Sequence, residues 1–137
     1  MKRQTTIIAA HILAVGALAA FAACGGSDSP NGPGGTPSGG PGPSGATITI
    51  ANGRVSPSEV TITSGQSVTF INNDATGHNI SSDPHPNHTD CPAINAVGNL
   101  GTGQTRLTNA LTTARVCGFH DHDLPDNANL KGCITIQ

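Results

Sequence analysis

The chain has 137 residues, a formal net charge of −2 at pH 7 with His neutral, and charged side chains at only 10% of its positions. Residues 46–137 carry four basic side chains against seven acidic ones, so they lack the basic surface that nucleic-acid binding requires. Their only aromatic residues are Phe70 and Phe119. A small core built mainly from aliphatic side chains gains from a cross-link or a bound metal.

Residues 1–23 have the pattern of an export signal. Lys2 and Arg3 precede a mostly apolar run that ends at Ala23, directly before Cys24. This ending resembles the lipobox of bacterial lipoproteins, in which the Cys becomes the lipidated first residue of the mature chain. We therefore predict a membrane anchor on Cys24 and an extracytoplasmic location, in the periplasm or at the cell surface. An ordinary signal peptide or an uncleaved anchor is the alternative.

Residues 24–45 are predicted to be a tether. Between Gly25 and Gly45, Gly, Pro and Ser occupy 18 of 21 positions, a composition that cannot bury enough apolar surface to fold. A flexible chain of this length spans roughly 25 Å on average. It would let a domain stand off a membrane and reach its partners.

Residues 46–137 have the pattern of one all-β domain. Apolar side chains alternate with polar ones, as on half-buried strands, and turns that contain Gly separate the runs. We predict strands at 46–50, 59–63, 67–72, within 107–117 and at 132–136. These short strands predict a β-sandwich. The long segment 81–103, rich in Pro, Asn, Asp and His, is predicted to be a functional loop.

The residues that could carry chemistry are concentrated in Cys117-Gly118-Phe119-His120-Asp121-His122. One thiol and two imidazoles within six residues make half of a metal site. His78, which follows a predicted strand and a turn, is the candidate for a further imidazole. The sequence therefore predicts a metal site that contains His78, Cys117, His120 and His122. The alternative is a structural Cys beside solvated His residues.

Several short motifs in residues 46–137 resemble the cupredoxins, the blue-copper domain family. The motifs are Val55-Ser56-Pro57, Val60-Thr61-Ile62, Val68-Thr69-Phe70, His78-Asn79 and Gly132-x-Ile134-x-Ile136. In that family, one His follows an early strand of a Greek-key β-sandwich, and a Cys and a second His come from the loop before the last strand. The resemblance implies one copper ion held by His78, Cys117 and either His120 or His122, with His120 preferred.

The sequence departs from the cupredoxin pattern at the axial ligand. The only Met is Met1, so the usual thioether is absent, and neither Leu124 nor Pro125, which lie near its place, can coordinate through its side chain. A weak axial ligand would leave a trigonal plane that suits both copper oxidation states. A carboxylate or a third imidazole would instead favour Cu(II).

Two further His residues, His85 and His88, lie in the long loop. Pro84, Pro86 and Asn87 surround them, so exposed loop residues are the default expectation. The alternative is a second, weaker copper or zinc site with Asp83 or Asp90.

Three Cys residues follow Cys24 in a compartment that favours disulfides. If Cys117 binds copper, Cys91 could pair with Cys133; the phytocyanins carry a disulfide Cys at the same distance after their first His. The other pairing, Cys91 with Cys117, would remove the thiolate and leave an all-imidazole site.

The preferred interpretation is a monomeric, membrane-tethered cupredoxin that carries electrons between redox partner proteins and is not an enzyme. The alternative is a copper-binding or copper-delivery module without electron transfer, in which Cys91 and Cys117 form a disulfide. The imidazoles open to such a module are those of His78, His85, His88, His120 and His122. A third hypothesis is superoxide dismutation, because residues 118–122 resemble the Gly-Phe-His-x-His copper motif of copper-zinc superoxide dismutases.

Overall fold

The computed structural model describes residues 40–137, in which nine strands form two sheets. The strands are β1 (Ser44–Ala51), β2 (Arg54–Ser56), β3 (Glu59–Ile62), β4 (Ser67–Asn72), β5 (His78–Ser82), β6 (Gly98–Leu100), β7 (Thr105–Leu107), β8 (Arg115–Asp121) and β9 (Lys131–Ile136). Two short 3-10 helices span Pro92–Ala96 and Ala128–Leu130. Within residues 40–137 there is no helix with the length and apolar character needed to cross a bilayer. The predicted signal peptide, the lipid on Cys24 and most of the tether lie outside the described residues.

The sheets have the strand orders β2-β1-β4-β7 and β3-β9-β8-β5-β6. β1 runs parallel to β4 and β3 runs parallel to β9, whereas the other neighbours are antiparallel. The chain passes from one sheet to the other after β2, β3, β4, β6 and β7. These repeated crossings tie the two layers together, and the prediction of an all-β sandwich is confirmed.

The core lies between the sheets and is built from alternate strand residues, as the period-two pattern predicts. On β1, Ile48 and Ile50 are fully buried. The rings of Phe70 and Phe119 meet edge to face at its centre, with centroids 5.2 Å apart. This arrangement is the one that aromatic pairs prefer, and it joins β4 of one sheet to β8 of the other.

The folded chain begins slightly earlier than the sequence predicted. β1 starts at Ser44 rather than at residue 46. Before it, the Gly42 amide donates a hydrogen bond to Ser67 Oγ at 2.7 Å. The last residues of the predicted tether are therefore part of the first sheet, because β4 offers them hydrogen-bonding partners.

The strand that carries the predicted metal ligands is also longer than predicted. β8 continues through Cys117 to Asp121, and β9 pairs with it from Arg115 to His120. On its other side, Asp121 lies opposite Ile80 and His120 lies opposite Ser81 of β5. Because successive residues of a strand point to opposite faces of a sheet, this continuous pairing decides which side chains can meet.

Candidate metal centre

Four imidazoles converge on one point beside β8. They belong to His85, His88, His120 and His122, and their candidate ligand nitrogens all lie within 4.8 Å of one another. Metal–imidazole bonds are about 2.0–2.1 Å long, so a tetrahedral site would have its nitrogens about 3.3 Å apart. Each ring would need to move inwards by less than about 1 Å to reach such a bond length. The cluster is therefore close to a loaded geometry.

Strand alternation explains why His120 and His122 meet. They are two residues apart, so they project from the same face of the sheet. The backbone continues in register past the end of β8, since the His122 amide donates to the carbonyl of Asn79 at 2.6 Å. The Nδ1 atom of His122 then lies 3.0 Å from Nε2 of His88. β8 and the residue directly after it thus supply one half of the cluster.

The other half comes from a loop that folds over this face of the sheet. At its ends, the Asp83 amide donates to the Gly118 carbonyl at 3.1 Å and the Asp90 amide donates to the Asp83 carbonyl at 2.9 Å. Asn95 holds its centre, because its side-chain amide donates to the His88 carbonyl at 3.0 Å. His88 has a φ of 52°, a left-handed conformation that is uncommon for a residue with a side chain. These contacts hold that conformation and aim the His88 ring at β8.

His120 is the deepest member of the cluster. Its side chain is 1% exposed, and its Nδ1–H donates to Asp83 Oδ1 at 2.6 Å. Its Nε2 is the one buried side-chain nitrogen or oxygen in residues 40–137 without a hydrogen-bond partner. An unsatisfied buried polar atom costs about 1–3 kcal/mol, and native structures contain few of them. A metal ion at the cluster would supply the missing partner.

The cluster also favours the neutral imidazole of His88, the form that binds metals. Burial lowers the pKa of His88, and the neighbouring rings of His122, His120 and His85 lower it further when they are charged. At neutral pH its lone pair is therefore available to a metal with little competition from protons.

The bond between Asp83 and His120 depends on Gly118. A Cβ atom at position 118 would overlap with the carboxylate of Asp83. Because Gly118 has no side chain, that carboxylate can lie against β8 and reach the His120 ring. Carboxylates bonded to metal-binding His residues orient the ring and raise its basicity. Asp83, Gly118 and His120 therefore act together at one end of the cluster.

Replacing Asp83 by Ala is expected to weaken metal binding about 10- to 100-fold, the usual effect of removing such a supporting carboxylate. The control is Asp90→Ala in the same loop, whose carboxylate pairs with Arg115 outside the cluster. That change should leave the affinity within about twofold, because exposed ion pairs contribute little. Competition titration with a chromophoric chelator measures both affinities. Equal losses in the two variants would contradict a specific role for Asp83.

Cys117 does not join the cluster, which corrects the prediction of a thiolate ligand in this arrangement. It forms a disulfide with Cys91, with the two Cα atoms 5.8 Å apart. It is also fully buried, among the core residues between the sheets. Cys117 and His120 are three residues apart on one continuous strand, so they project from opposite faces. The alternative pairing of Cys91 with Cys117 is the one that the structure contains, and the pairing of Cys91 with Cys133 does not form.

His78 is likewise placed apart from the four imidazoles. It begins β5, and its Nδ1 lies 2.8 Å from Asp121 Oδ2 while its Nε2 lies 3.2 Å from Asp74 Oδ2. Asp74 is in turn held by the Gly53 amide, the main cause of its lowered pKa. Both ring nitrogens of His78 are therefore engaged by carboxylates. The expected set of His78, Cys117, His120 and His122 is not brought together, although two of its members meet.

Sequence reasoning undervalued His85 and His88. Their spacing of three residues in a His-rich loop, together with the His-x-His of residues 120–122, was the available signal. The expectation of exposure holds for His85, whereas His88 is partly buried. The structure does not give them a separate site with Asp83 or Asp90. Asp83 instead bonds to His120, and Asp90 pairs with Arg115.

Comparison with known proteins bears on the fold. No family model matches this chain, and no curated protein matches it either. Among solved structures, a purple cupredoxin from Nitrosopumilus maritimus is similar at 24% identity and a TM-score of 0.52, over 67% of this chain and 99% of its own. The oxidised plastocyanin of Dryopteris crassirhizoma is similar at 22% identity and a TM-score of 0.52, over 66% of this chain and 99% of its own. An oxidised mutant of amicyanin is similar at 20% identity and a TM-score of 0.54, over 68% of this chain and 82% of its own.

These likenesses cover about two thirds of the chain, which agrees with the extent of the described strands. At such low identities they establish the architecture and do not assign residues. The predicted cupredoxin-like sandwich with a long His-rich loop is confirmed, and the chain has the cupredoxin fold.

Proposed function

We propose that this protein binds copper outside the cytoplasm through four imidazoles, on a domain tethered to a membrane by a lipid on Cys24. The observation that carries the proposal is the convergence of His85, His88, His120 and His122 around the unpaired, buried Nε2 of His120. Imidazoles suit copper, zinc and nickel, and divalent copper has the highest affinity among the first-row metals. The cupredoxin fold supports copper over zinc, since an amicyanin of this fold is recorded with Cu(I).

The donor set favours one oxidation state. The cluster offers nitrogen ligands only, and soft sulfur ligands are the ones that select Cu(I). Four imidazoles therefore stabilise Cu(II), which suits a protein that binds, carries or hands over the ion. Zn²⁺ would also fit four nitrogen donors, so the measured preference between the two ions tests the assignment directly.

Titration of the full-length protein with Cu(II) is expected to give one bound ion per chain and a pale spectrum. Electron paramagnetic resonance should show hyperfine structure typical of nitrogen ligands, because the cluster contains only imidazoles. His88→Ala, which removes one of the four donors, should weaken binding relative to Asp90→Ala. An intense visible band that is lost in Cys117→Ala would instead indicate a thiolate ligand and contradict the four-imidazole site.

The likeness to plastocyanin and amicyanin supports a second candidate function, one-electron transfer with redox partner proteins. Such a carrier needs a copper couple that is reversible without loss of the ion. Protein-film voltammetry distinguishes the two functions. A reversible couple with the copper retained after many cycles supports electron transfer, whereas release of the ion on reduction supports binding and delivery.

A further inference from the structure

The four imidazoles differ in burial and in the contacts that hold each ring in place. His120 is fully enclosed and fixed by Asp83, whereas His88 and His122 are partly buried and contact each other. His85 is exposed. Its ring lies against the other three, with centroids 5.0 Å from His122, 5.6 Å from His120 and 5.7 Å from His88. Within the described residues, its imidazole makes no hydrogen bond.

We propose that His85 is the exchangeable ligand of the site, through which the ion enters and leaves. This inference rests on the proposed copper function and adds to it the position at which the ion enters and leaves the site. The other three imidazoles hold the ion while His85 opens the coordination position that faces solvent. An incoming nitrogen or sulfur donor, from a small chelator or from an accepting protein, takes the position that His85 leaves.

The contacts of each ring decide the order in which ligands leave. Releasing His120 would restore an unpaired nitrogen inside the protein, in a ring that the Asp83 bond prevents from turning. Releasing His88 would disturb a left-handed backbone held by Asn95. His85 loses only ring contacts, and water can solvate its nitrogen as soon as it departs. Its displacement therefore meets the least resistance.

The exchange step is a ligand substitution without a change in oxidation state. The bond from copper to the His85 nitrogen breaks, and a bond from copper to the incoming donor forms. The lone pair of the freed imidazole is left to water. Three nitrogens from His88, His120 and His122 keep the ion in place until the acceptor has supplied enough donors to remove it.

The test compares His85→Ala with His88→Ala in the full-length, Cu(II)-loaded protein. Stopped-flow transfer of copper to excess EDTA gives the release rate, and free imidazole is the probe of the vacant position. His85→Ala should still bind one ion and should release it on the order of tenfold faster, since affinity differences between related complexes lie mostly in dissociation rates. Added imidazole should slow that release and change the paramagnetic resonance spectrum. His88→Ala should show neither response to imidazole, because the vacancy that it leaves is partly buried.

Three outcomes would overturn the inference, each in a different way. If His85→Ala releases copper at the wild-type rate and imidazole leaves its spectrum unchanged, the ion does not leave through His85, although the four-imidazole site can stand. If imidazole acts equally on both variants, the partly buried position of His88 and the exposed position of His85 do not differ in ligand exchange. A wild-type protein that binds no copper would overturn the proposed function itself and this inference with it.

Discussion

Replacing His78 by Ala is expected to lower the free energy of unfolding by about 1.5–3 kcal/mol, the range for removing a hydrogen bond to a buried charged group. The His78 ring lies 2.8 Å from the Asp121 carboxylate, and the two side chains are 3% and 1% exposed. Without the ring, Oδ2 of that buried carboxylate loses its hydrogen-bond partner. Asp121 also accepts the amides of Asn79 and Asp123 at the end of β8. Urea unfolding followed by circular dichroism measures the loss.

The control for stability is His85→Ala, which removes an exposed ring. It should change the free energy of unfolding by no more than about 0.5 kcal/mol, as is usual for surface substitutions. Copper stoichiometry should be measured in His78→Asn, whose amide can still donate to Asp121 and so preserve more of the fold. We expect one bound ion in that variant, because His78 lies outside the cluster. A folded His78→Asn protein without copper would make His78 a ligand after all.

The strands of the sandwich and two of the four imidazoles of the cluster could be predicted from the sequence. Period-two patterns located the ends of β1, β3, β4 and β9 to within two residues, and together with the family motifs they identified the sandwich. His120 and His122 were recognised because they fall within six residues of Cys117, although the family resemblance treated them as alternatives for one ligand position. Both inferences rest on local spacing, which the sequence displays directly.

The choice of the other ligands was not visible locally. The family resemblance treated Cys117 and His120 as parts of one loop, in which side-chain directions are free. Pairing with β5 and β9 instead makes this segment a strand, and the alternation then separates the thiol from the imidazole. That pairing depends on tertiary contacts, and no feature of the sequence within residues 117–122 predicts it. The same holds for the fold of the loop that brings His85 and His88 over β8.

The disulfide carries the second large expected effect. Replacing both Cys91 and Cys117 by Ala is expected to lower the free energy of unfolding by about 3.5 kcal/mol, from the chain entropy of a loop closed over 26 residues. Ala is the suitable replacement because both positions are buried, at 6% and 0% exposure, and a Ser hydroxyl there would need a partner. Thermal and urea unfolding of the double variant measure the cost.

A nearby surface contact provides the matched control for the double variant. Arg115 and Asp90 link the same two segments, β8 and the end of the His-rich loop, by an ion pair whose side chains are 45% and 29% exposed. Arg115→Ala should cost at most about 1 kcal/mol, because exposed ion pairs contribute little. If the two variants lose the same stability, the disulfide does not constrain the chain as the entropy argument requires.

Loss of the disulfide should also weaken copper binding, since Cys91 anchors the end of the loop that carries His85 and His88. The single variant Cys91→Ala separates this effect from thiolate ligation, because it frees Cys117 while leaving that residue on the core face of β8. We expect Cys91→Ala to bind copper more weakly than the wild type and to stay pale, with the same spectrum as the double variant. An intense band in Cys91→Ala that disappears in the double variant would show that the freed sulfur can reach copper. The face on which Cys117 lies would then be able to change, and the four-imidazole site would be one of two states of this protein.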